Sequence, residues 1–134
     1  MTTHSRPTTK ASLERLVGCS DYEAGTSVWW ACLARHLDEL SEELSLSDIE
    51  GLVAQVTADT PELAADASRL TTLDEQLRDE VIDLRRRVAD LAGSADAVVD
   101  VREALDGTLR RVRSLDRLSD QLLFEAYERD LGGE

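Results

Sequence analysis

A chain of 134 residues with 42% apolar side chains has enough material for one domain with a sizeable core, and its 4% aromatic content makes that core one of Leu, Val and Ala. A net charge of −13 argues against nucleic acid or an anionic membrane as partner, because both are held by positive charge, and it suits a basic partner. No run approaches the ~20 apolar residues that span a bilayer, and "MTTHSRPTTKAS" lacks the apolar stretch of a leader, so the expected location is the cytoplasm.

Residues 1–19 read as a disordered or loosely structured tail, although "SLERL" (12–16) has the makings of a short helix that Gly18 would end. Residues 20–134 read as one helical domain. "SDYE" (20–23) has capping-box form, but Gly25 follows closely, so Thr26 or Ser27 is the alternative start of the first long helix. From there Trp29, Leu33, Leu37, Leu40 and Leu44 recur at steps of four, four, three and four, the spacing of an inward helical seam. The adjacent Trp30 falls on another face, as a packed residue or as a contact for a partner. Cys19 and Cys32 have neither CxxC nor metal-ligand spacing, and a reduced protein is the expectation, with Cys32 buried in the helix.

"SDIE" (47–50) opens a short helix to about Thr57. "DTPEL" then marks a boundary, with Thr60 able to cap, Pro61 suited to a first helical position and Glu62 favoured at the positive helix end. The next seam is Leu63, Ala67, Leu70, Asp74, Leu77, Val81, Leu84, Val88 and Leu91, ended by Gly93-Ser94. The last helix runs from about Ala95 to Leu131, with Val98, Val101, Leu105, Val112, Leu115, Leu122 and Ala126 inward. Long helices joined by a short turn pack antiparallel. The expected fold is therefore all-α, an antiparallel up-and-down bundle of three long helices and a short one, resembling a four-helix bundle.

Charge is uneven along these rods. Between His36 and Ser68 every charged side chain is acidic, whereas "RRR" (85–87) and "RRVR" (110–113) carry arginine clusters. Either these are solvated surfaces with pairs such as Asp83–Arg87 and Asp106–Arg110, each worth about 0.3–0.5 kcal/mol, or the acidic helix lies beside an Arg-bearing one. Asp74 interrupts an apolar seam. It is either solvated at the edge, bonded to an Arg such as Arg78 or Arg113, or a polar device fixing helix register.

The chain has two histidines, His4 and His36. It shows no ExxH pair, nucleophilic triad, Gly-rich phosphate loop or zinc spacing, so a non-catalytic protein without a cofactor is expected.

A resemblance sharpens this. "LLFEAYERDLGGE" (122–134) resembles the closing segment of bacterial hemerythrin-like proteins, and "EELSLSDIEGL" (42–52) with "TPELAADASRLTTLDEQL" (60–77) is similar to that family's middle blocks. The resemblance implies a helical bundle built around a di-iron site. It also implies that the ligand positions are nearly all replaced: Glu43 and Leu44 stand at the family's His-Phe, Ser47 and Asp48 at an acidic pair, and Leu73 and Asp74 at Glu-His. Leu115 and Asp116 stand at His-Glu, and Ser119 at a further Glu. Glu43, Asp48, Asp74 and Asp116 are then vestigial metal positions, and an inward Asp74 is an ancestral ligand position without its iron. The function expected is that of a metal-free interaction or regulatory module, binding another protein or a second copy of itself. The alternative is a bundle that still takes a cation or small ligand on those four carboxylates. An adaptor of unrelated descent would explain the seams but not the closing segment.

Overall fold

The computed structural model describes residues 10–132, with side chains from 12 to 128. Five α-helices account for most of that span: α1 (Lys10–Gly18), α2 (Ser27–Leu46), α3 (Ile49–Asp59), α4 (Ala64–Leu91) and α5 (Val98–Gly132). Single turns of 3₁₀ helix, Cys19–Asp21, Pro61–Leu63 and Ala95–Ala97, lead from α1 and into α4 and α5. No strand occurs among the described residues. The fold is an all-α bundle.

The helix boundaries follow local chemistry. Thr26, not "SDYE", caps α2: its Oγ1 accepts the Trp29 N–H at 3.2 Å. Asp48, rather than Ser47, caps α3 by accepting the Gly51 N–H at 2.9 Å. Thr60 makes no side-chain cap; Pro61 starts a 3₁₀ turn and α4 follows at Ala64. Gly93 holds φ +87° in the turn between α4 and α5, a left-handed conformation that costs other residues a Cβ clash. Gly25 holds φ +90°, and a Cβ there would stand 3.0 Å from Val98 Cγ2, so both its conformation and the approach of α5 select glycine.

The seams anticipated from spacing form the core. Leu33, Leu37, Leu40 and Leu44 of α2 meet Leu70, Leu77, Val81 and Leu84 of α4 and Val101, Val112, Leu115 and Leu122 of α5. Leu91, at the seam's end, is exposed. Contacts between α4 and α5 run in opposite chain senses: Glu80 pairs with Arg111, while Leu73, earlier on α4, borders one groove with Leu118, later on α5. The same holds for α2 and α4, where Asp38 bonds Arg85 and Ser47 bonds Arg78. The acidic helix thus lies beside an Arg-bearing one, and the pair Asp83–Arg87 also forms along α4 at 3.0 Å.

One expectation is corrected, and one alternative is decided. Residues 10–19 are not a loose tail: α1 packs on α2 and buries Leu16 and Cys19, while residues 1–9 lie outside the described residues. Trp29 and Trp30 are both buried, edge to face with ring centroids 4.9 Å apart. Adjacent positions cannot share one face, but α2 has neighbours on two sides, α1 and α4, so each indole finds cover.

Candidate functional site

Three places in the bundle hold chemistry beyond packing. The first joins α1 to α2. Cys19 and Cys32 are paired as a disulfide, with Cα atoms 5.9 Å apart across 13 residues of chain. This overturns the reduced-thiol expectation, and Cys32 is half-buried rather than buried. The 3₁₀ turn after α1 directs Cys19 back onto α2, a juxtaposition that spacing along the chain does not reveal. His36 lies one helical turn beyond Cys32, and one ligand atom from each of Cys19, Cys32 and His36 falls within 4.8 Å of the others. His36 Nδ1–H donates to Glu39 Oε1 at 2.5 Å, and Arg15 of α1 approaches the other carboxylate oxygen at 3.6 Å. The bond from His36 is the main cause holding the Glu39 carboxyl below its usual range.

The second place surrounds Asp74. This carboxylate is only 6% exposed. Arg78 Nε donates to its Oδ2 at 3.0 Å, and Arg78 also donates to Ser47 Oγ at 3.1 Å, tying α4 to the α2–α3 junction. Oδ1 is buried with no hydrogen-bond partner. Burial pushes the Asp74 carboxyl above the ordinary aspartate range; the Arg78 bond and charge pull it down by less, and Glu50 adds to the rise. Of the readings that spacing left open, pairing with Arg78 is the one observed.

Asp48 and Asp74 line the same cleft of about 330 Å³, together with Glu50 and Arg78. Glu43 and Asp116 are not among its lining residues. Asp48 is exposed and occupied as the α3 cap, Glu43 is half-buried with an unpartnered Oε2, and Asp116 is half-buried on α5. Among the described residues, the group whose ligand atoms gather closely enough to hold a metal is Cys19, Cys32 and His36; the four carboxylates do not form one.

The third place comprises two surface features on α5. A cavity of about 550 Å³ opens between the first turns of the chain and α5, with Leu16, Trp29, Leu105 and Leu109 as apolar lining and Arg102, Arg110 and Arg113 at its edge. Among the described residues no carboxylate pairs with these three arginines. A smaller groove of about 210 Å³ lies between α3 and α5, lined by Leu52, Val56, Leu123 and Ala126, with Asp59 and Tyr127 alongside. Tyr127 is 62% exposed at this groove, and Phe124, one turn earlier on α5, is 64% exposed.

The chain matches no family model, no curated protein and no solved structure. No helix among the described residues is long and apolar enough to cross a membrane.

Proposed function

We propose that this bundle is a non-catalytic interaction module whose α3–α5 groove receives an apolar segment flanked by basic residues. One observation carries the reading: Tyr127 stands in solvent at a groove lined by Leu52, Val56, Leu123 and Ala126, and Phe124, a turn before it on α5, is exposed as well. Large exposed aromatics next to an apolar concavity are the usual anatomy of a docking site, because covering them releases water from both. Asp59 in the groove, Glu125 and Glu128 on the same stretch of α5 and the net charge of −13 supply the complement for a basic flank. The same charge disfavours a second copy of this chain as occupant.

The hemerythrin-like descent belongs to this proposal. Glu43 Oε2, Asp74 Oδ1 and Ser119 Oγ are buried without hydrogen-bond partners, and all three residues stand at positions that the resemblance assigns to iron ligands. Polar atoms kept inward with nothing to bond are costly in a core, and an ancestral site supplies a reason for their placement. On this account anaerobic reconstitution with ferrous iron leaves the chain without a di-iron centre. Two irons per chain would return Glu43 and Asp74 to the ligand list and overturn the reading.

The docking reading is tested by NMR titration with two amphipathic helical peptides of one leucine pattern, one with Lys and one with Glu on the polar face. The Lys peptide is expected to shift amide signals of α3 and the C-terminal half of α5, and the Glu peptide to shift none. Equal response to both peptides, or shifts centred elsewhere, would sink it. A monomer–dimer equilibrium abolished by Phe124→Ser would instead identify a second copy as the occupant.

A second reading rests on the larger cavity. Three arginines without carboxylate partners, in a chain with almost twice as many acids as bases, line a mixed cavity with Leu16, Trp29 and Asp106, of a size that holds small molecules. That combination suits an anion with an apolar body. The fluorescent sulfonate anilinonaphthalene sulfonate is the probe: saturable binding to the folded chain, weakened by Arg102→Ala and Arg113→Ala, supports this use of the cavity, and binding indifferent to both substitutions removes it.

A further inference from the structure

The cluster that clips α1 to α2 has more chemistry than a structural disulfide requires. Cys32 and His36 stand one turn apart on α2, and Cys19 meets them from the preceding 3₁₀ turn, so that two sulfurs and an imidazole nitrogen gather within 4.8 Å. Two thiolates and a histidine are a borderline-soft donor set, the kind that selects zinc over calcium or magnesium. The imidazole is also set for ligation. With Nδ1–H committed to Glu39, the lone pair falls to Nε2, and a carboxylate on the far nitrogen fixes the tautomer and raises the basicity of the ligating one. Two arginines, Arg15 and Arg35, act on the Glu39 carboxylate, which Arg15 approaches at 3.6 Å and which offsets their charge beside the cluster. Cys19 is fully buried and His36 largely so, so an ion held here would be shielded on the side of the core.

The geometry points to a redox-exchangeable zinc site: with the cysteines reduced, Cys19 Sγ, Cys32 Sγ and His36 Nε2 bind one Zn²⁺, and oxidation to the Cys19–Cys32 disulfide expels it. The two states exclude each other because they use the same sulfur atoms. Reduction by a dithiol transfers two electrons and two protons to the cystine, breaks its S–S bond and leaves two thiols, while the reductant becomes a disulfide. Zinc then binds the thiolates and displaces both protons. Hydrogen peroxide reverses the exchange: the two sulfurs lose two electrons and join, the peroxide takes those electrons with two protons to give two waters, and Zn²⁺ leaves. Three protein ligands leave one position of a tetrahedral ion for water. Either state clips α1 onto α2, so the exchange retains the fold while changing what α1 presents beside the 550 Å³ cavity.

The site is tested on the full chain by metal analysis after desalting, in parallel with Co²⁺ absorption spectroscopy. The reduced protein is expected to retain one Zn²⁺ per chain and the oxidised protein none. Co²⁺ added to the reduced protein is expected to give the intense visible bands of tetrahedral coordination with thiolate charge transfer in the near ultraviolet. Hydrogen peroxide is expected to release the zinc into a chromogenic chelator in step with loss of free thiol. Glu39→Gln, which weakens the orienting bond to His36 and removes the Arg15 ion pair, is expected to lower zinc affinity about tenfold. Equal zinc retention by the oxidised protein, or a Co²⁺ spectrum without thiolate charge transfer, would overturn the assignment. So would a reduced, folded chain that holds no zinc, which identifies the pair as a structural disulfide alone.

Discussion

Replacing Asp74 by leucine isolates the cost of a carboxylate in an apolar seam. In the wild-type chain Asp74 gains a charge-assisted bond from Arg78, worth about 1.5–3 kcal/mol, and leaves Oδ1 buried without a partner at a cost of about 1–3 kcal/mol. Leucine forfeits the bond and removes the unpartnered oxygen. It also adds about 1.5–3 kcal/mol of apolar burial between Leu70 and Leu77, reduced by about 1–2 kcal/mol of crowding. Arg78 is a third exposed and retains Ser47, so it is not stranded. The sum favours the variant by only about 0.5 kcal/mol at neutral pH. The pH dependence is the stricter test. A carboxyl whose folded pKa is raised contributes most to stability below its unfolded value of about 3.9, and that contribution is lost as pH rises through the folded value. The advantage of Asp74→Leu over wild type is therefore expected to widen between pH 4 and pH 8. Urea unfolding of both proteins across that range measures it, with Asp74→Asn as a charge-free control of similar shape. A variant less stable than wild type by more than about 1 kcal/mol at pH 8, or an advantage that shrinks as pH rises, would refute the reasoning.

Other expectations follow from the clip, the turns and the core. Reducing the Cys19–Cys32 bond in metal-free buffer is expected to lower stability by about 2–3 kcal/mol, the entropy of freeing a short loop, as read by denaturant midpoint. Thr26→Ala removes the α2 cap and is expected to cost about 1 kcal/mol, with Thr26→Ser close to wild type in the same assay. Gly25→Ala, strained by its positive φ and crowding Val98, is expected to cost about 1–3 kcal/mol; a neutral result in thermal melts would contradict the close approach of α5. Trp30→Ala is expected to cost about 3–5 kcal/mol, whereas Phe124→Ser is expected to leave stability within about 0.5 kcal/mol while abolishing response to the Lys peptide.

What the chain's pattern revealed and what it hid divide along physical lines. The α4 seam and most of the α5 seam were legible because packing of one helix against another repeats every three or four residues, and each element's inward face is written locally. The packing of Trp30 was legible only as one of two alternatives, because whether a second face of α2 is covered depends on α1, whose own signal is a few residues long. The choice of Thr26 over "SDYE" turned on Gly25, whose positive φ places it in the turn before the helix. Asp74's partner was among the candidates because Arg78 lies one turn along the same helix. The Cys19–Cys32–His36 cluster shows both cases. The four-residue step from Cys32 to His36 is visible in the sequence, but the arrival of Cys19 depends on a reversal of the chain between residues 19 and 26.

Isothermal titration calorimetry of the Lys-faced amphipathic peptide against wild type and a Phe124→Ser, Tyr127→Ser variant, at low and high salt, tests the central claim most directly. The account predicts binding by wild type with a negative heat-capacity change from apolar burial, weakening as salt rises, and at least tenfold loss of affinity in the variant. Equal affinity of the two proteins, or binding indifferent to salt, would contradict the assignment of the α3–α5 groove as the docking surface.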